Sequence, residues 1–255
     1  MARRETVIGG LRFVEYEERA PEKPGALLVA LPDAGLVGVI AASYLISKLG
    51  LREVGGIEIP RGPYLVVIQR GEPRPPIRLF AGEGLAVAYT EFVLSPDAQA
   101  ELAEALVEYA RVRGFDSVIG LTGLPIQNRL DVEGLRTYYV ATSEDLAKLV
   151  AGGGAEALEQ GVVVGAFAVL LREGARKGVR VAVLLTESFM EFPDPEAAAE
   201  GLKVLSRLLG TEVDVGELLQ QAGMVKLKAR ELMRQTANAL AQVGKDMEYR
   251  PSLYA

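Results

Sequence analysis

Between residues 25 and 210, short apolar, β-branched runs alternate with stretches whose apolar positions recur every three or four residues. GALLVALP (Gly25–Pro32) predicts a buried strand bounded by glycine and proline. The following DAGLVGVIAASYLISKLG predicts a largely apolar helix through Leu36, Val39, Ile40 and Tyr44 that ends on Gly50. PYLVVIQR and PIRLFAGEG predict strands on either side of a Gly/Pro turn, and LAVAYTEF predicts another. SPDAQAELAEALVEYARVRG carries the clearest helical signature. Ser95 can cap it, Pro96 stands at its first position, Gly114 closes it, and Leu102, Ala105, Leu106, Tyr109 and Ala110 share one face.

SVIGLTGLP and TYYVATS predict two further strands. GVVVGAFAVLLREGARKG predicts a buried helix behind a Gly-rich loop, VRVAVLLTES a buried strand, and PDPEAAAEGLKVLSRLLG a helix with an acidic first turn that suits its dipole. Long apolar strands interleaved with helices predict an α/β domain over residues 1–210, a mainly parallel sheet flanked by helices. After Gly210 the pattern changes to a helical extension, residues 211–246. Leu218, Ala222, Val225, Ala229, Leu232, Leu240 and Val243 form a stripe that suits a home surface or a partner helix. Residues 247–255 then read as a flexible, extended tail, because Pro251 disfavours helix at Arg250.

Composition narrows the chemistry. Among 255 residues there is no cysteine, which excludes disulfides, thiol nucleophiles and zinc–thiolate sites. There is also no histidine, which removes Ser–His and Cys–His catalysis and the commonest transition-metal ligand. A net charge of −6 argues against a nucleic-acid partner. No apolar run reaches the roughly 18–20 residues of a membrane span, and the first residues lack a signal-peptide pattern; both point to the cytoplasm.

Four places could carry chemistry. LPDAGLVG (Leu31–Gly38) lies where a strand hands over to a helix, a geometry that can cradle an anion, but it fits neither dinucleotide nor P-loop spacing. There Asp33 can also cap the helix, with Gly35 and Gly38 allowing close helix–sheet packing. Glu91, Thr122 and Glu187 fall at the ends of predicted strands, where open α/β sheets place ligands. AGGGAEALEQG (Ala151–Gly161) has the glycines of a phosphate cradle without cationic support and reads better as a flexible loop. In the tail, Leu253 and Tyr254 offer rigid apolar area, and the α-carboxylate of Ala255 is an anion for a lysine or a backbone nest.

The segments LPDAGLVGVIAASYLISKLG, LTGLPIQN, GVVVGAFAVLLREGARKGVRVAVLLTES and PDPEAAAEGLKVLSRLLGTEVD resemble, in that order, those of the proteasome assembly chaperone-two family, over roughly residues 25–220. The resemblance is to archaeal members. It implies a nucleoside-phosphorylase-like α/β domain used for protein binding rather than catalysis. Phosphorylase site residues are not carried over, since no histidine and no phosphate motif are present. The chain end is similar to the hydrophobic–tyrosine–any-residue motif of proteasome activators and assembly chaperones, with Leu253, Tyr254 and Ala255 at its three positions. The resemblance implies that this tail enters a pocket between neighbouring α-subunits of the core particle, its carboxylate meeting a pocket lysine.

Together these readings predict a non-enzymatic, ATP-independent proteasome assembly chaperone or activator-like protein. It would use no cofactor or metal, form a homo-oligomer in part through the 215–243 stripe, and bind proteasome α-subunits. Two rivals remain. One is a nucleoside- or nucleotide-binding enzyme using Asp33, Glu91 and Glu187; the other is a scaffolding oligomer whose tail packs at home.

Overall fold

In the computed structural model, the described residues are 3–16, 25–60, 65–69, 71–82, 84–127, 129–132 and 134–220, together with Glu231. The strands are β1 (Arg3–Ile8), β2 (Leu11–Tyr16), β3 (Ala26–Ala30), β4 (Arg52–Glu58), β5 (Val67–Gln69), β6 (Glu72–Arg74), β7 (Ile77–Gly82), β8 (Leu85–Tyr89), β9 (Ser117–Pro125), β10 (Thr137–Ala141), β11 (Glu156–Ala157) and β12 (Val181–Ser188). The helices are α1 (Val37–Lys48), α2 (Pro96–Arg113), α3 (Glu144–Gly152), α4 (Gly165–Lys177), α5 (Pro195–Leu209) and α6 (Gly216–Gln220). Ten strands form one sheet in the order β1-β2-β4-β7-β8-β3-β9-β12-β10-β11, while β5 and β6 form a separate hairpin.

The sheet is mixed rather than mainly parallel. Its centre, β8-β3-β9-β12, is parallel. On one side β1, β2, β4, β7 and β8 pair antiparallel, and β10 is antiparallel to β12 on the other. Connection length explains the departure. Only two residues separate β7 from β8, and Gly9 and Gly10, both at positive φ, join β1 to β2. Such links make hairpins, since a parallel crossover needs a dozen or more residues. The β1–β2 hairpin, β4 and α3 lie outside the elements that periodicity predicts.

Alternation along each strand feeds two cores. Leu27 and Val29 of β3 pack with Leu102, Leu106 and Phe167 of α2 and α4. Leu28 and Ala30 point the other way, to Val37, Ala41, Leu45, Leu202 and Leu205 of α1 and α5. The predicted caps form: Ser95 accepts from Ala98 N at the start of α2, and Gly114 closes it at φ 74°. Asp194 caps α5 by accepting from Ala197 N. Gly38 is needed where α1 crosses the sheet, because a Cβ there would lie 2.1 Å from the Leu121 carbonyl oxygen.

From α5 to Gln220 the chain stays on the domain. Leu218 of α6 is buried in the core beside α1 and α5, Tyr44 donates to the Asp214 carbonyl (2.5 Å), and Lys48 pairs with Glu217. The first position of the predicted stripe is therefore satisfied at home. Its positions from Ala222 to Val243, and the tail residues Leu253, Tyr254 and Ala255, lie outside the described residues.

Candidate functional site

The C-terminal ends of the parallel strands converge where α/β sheets place ligands. The structure brings two of the candidate residues together there. Thr122 of β9 donates to the Asp33 carboxylate at 2.7 Å, across the turn that follows β3. Asp33 makes no side-chain cap of the turn after it. That turn, Ala34–Leu36, carries Gly35 at φ 63° and Leu36 at φ 51°; a side chain at Gly35 would press on Ser188 and Phe189. The glycines of LPDAGLVG thus serve close packing, as expected of Gly35 and Gly38.

The other carboxylates are engaged separately. Glu91 accepts from the Tyr89 hydroxyl (2.7 Å) and lies 3.6 Å from Arg78, whose buried guanidinium stacks on Phe80 and Tyr89 and donates to Gln69. Burial, and then the Glu91 charge, push the Tyr89 hydroxyl above the ordinary phenol range. Glu187, nearly buried, accepts from the Arg136 backbone and guanidinium, each at 3.0 Å. No group of three acidic residues gathers to hold a metal ion among the described residues. Asp33, Glu91 and Glu187 thus each meet a partner of their own: Thr122, Tyr89 with Arg78, and Arg136.

Within Ala151–Gly161 the glycines at 152–154 close α3, and Glu156–Ala157 form β11. Gly153 N and Gly154 N donate back to α3 carbonyls, so these amides are not free for an anion. This end of the helix presents carbonyls, and Arg207 donates to the Gly153 carbonyl at 3.0 Å. A guanidinium at a helix C-terminus suits the dipole, whereas a phosphate would not.

One constellation escaped prediction. Arg129, 6% exposed, makes a two-pronged ion pair with Asp194, 1% exposed (2.7 and 3.0 Å), and reaches Glu196 at 2.8 Å. Its guanidinium lies over the Phe189 ring at 5.0 Å. Asp194 also accepts from Phe189 N, and its own N–H donates to the Gly35 carbonyl at 2.8 Å. This clamp fixes the β12–α5 loop on the β3–α1 turn, leaving Met190 and Phe192 66% and 54% exposed. The cap role of Asp194 follows from the Asp-Pro-Glu pattern; nothing local in the sequence pairs it with Arg129, 65 positions away.

No helix among the described residues is long and apolar enough to cross a membrane. The sequence signature of the PAC2 family matches residues 27–233. The chain belongs to the PAC2 family. The crystal structure of PbaA from Pyrococcus furiosus, described as an archaeal homolog of proteasome-assembly chaperone, is similar at 30% identity over 86% of this chain and 96% of PbaA, with a TM-score of 0.77. PbaB of the same organism, described as an archaeal proteasome activator, shares the fold at 22% identity, over 89% of this chain and all of PbaB, with a TM-score of 0.72. An uncharacterised protein of Methanocaldococcus jannaschii, MJ0106, is 28% identical over 94% of this chain and 98% of its own length.

Proposed function

We propose that this PAC2-family protein is a non-enzymatic, ATP-independent proteasome assembly chaperone or activator-like factor. The observation that carries the reading is its likeness to PbaA over 86% of this chain. In this reading the domain is a platform. Leu253 and Tyr254 anchor in a pocket of the proteasome α-ring, and the Ala255 carboxylate supplies the charge contact.

A single short tail binds weakly, because ordering it opposes the contacts it makes. Several tails on one homo-oligomer raise avidity through effective concentration. The test is binding of the intact protein and of a variant lacking Leu253–Ala255 to purified archaeal core particle and to isolated α-subunits. Binding by the intact protein that disappears on deletion supports the reading. Undiminished binding by the truncated protein removes the tail mechanism, and no binding by the intact protein removes the proteasome role.

A further inference from the structure

We draw no further inference here: the strongest candidate, the groove of about 580 Å³ between the β5–β6 hairpin and strands β2 and β4, lined by Arg12, Glu58, Val66 and Arg74, has a rim that continues from Pro60 and Leu65 into residues outside the described ones, and nothing in the structure shows what covers it.

Discussion

Replacing Asp194 tests whether the Arg129 clamp holds the β12–α5 loop by charge or merely by shape. The carboxylate is 1% exposed, pairs with a guanidinium 6% exposed, and caps α5 through Ala197 N. Removing one member of a buried pair costs about 3–5 kcal/mol, because the other charge stays buried. Losing the cap adds about 1 kcal/mol. Glu196, 2.8 Å from Arg129 on the exposed rim, offsets part of the loss, so Asp194→Ala should cost about 3–5 kcal/mol in total. Asp194→Asn can keep the cap, since asparagine is a good N-cap residue. Arg129→Met leaves Asp194 uncompensated and should cost about 3 kcal/mol or more, though methionine still fills the space against Phe189. The double variant Arg129→Met/Asp194→Asn removes both charges and should be more stable than Arg129→Met alone. Urea denaturation of the four proteins measures the coupling, and a loss of about 4 kcal/mol corresponds to a melting temperature lower by roughly 8–16 °C. Additive losses in the double variant would refute the charge-coupled clamp.

Gly38→Ala forces a Cβ to within 2.1 Å of the Leu121 carbonyl oxygen, so α1 must lift from the sheet. A loss of about 2–3 kcal/mol is expected by urea denaturation; a neutral result would show that α1 is not held this closely. Glu173, whose carboxyl lies below the ordinary range mainly through its hydrogen bond with Arg176, predicts an acid effect. Its folded pKa is depressed, so its stabilisation is present above the unfolded value near 4.5 and lost as pH falls through the lower folded value. The urea midpoint should therefore decline below about pH 4.5, and less steeply in Glu173→Gln; equal slopes would remove Glu173 as a contributor. Thr122→Val should destabilise by about 1 kcal/mol, since it removes the donor to Asp33; no change in thermal unfolding would show that solvent replaces that bond fully.

Much of the fold was readable because local signals and tertiary demands agree in it. Ser95-Pro96 and Asp194-Pro195 each place a capping oxygen before a proline at the first helical position, and both helices start there. The parallel centre was readable from uninterrupted apolar strands such as VAVLLTES, buried at every position of β12. The antiparallel wing was harder. β2 and β4 mix apolar residues with Arg12, Glu15, Arg52, Glu53 and Glu58, which blurs their alternation. The Gly9-Gly10 pair was the available hairpin signal.

The sheet-end chemistry was less readable, because its partners are distant in sequence. Glu91 and Glu187 fall at strand ends as predicted, but their ion-pair partners are Arg78 and Arg136, and periodicity does not say which cation reaches which acid. The same holds for Arg129 and Asp194. Glycines mislead for a related reason. The run Gly152–Gly154 resembles a phosphate loop in composition, and only the preceding helix α3 shows that it closes a C-terminus.

The central claim is that the tail docks into proteasome α-subunits, and Tyr254→Ala tests it most directly while leaving the domain and the α-carboxylate in place. Binding to immobilised archaeal core particle is measured for the full-length protein and for this variant at equal oligomer concentration. The account predicts a loss of affinity of about tenfold or more, since each tail forfeits a buried aromatic anchor and avidity multiplies the deficit. Equal affinity of the two proteins would contradict it.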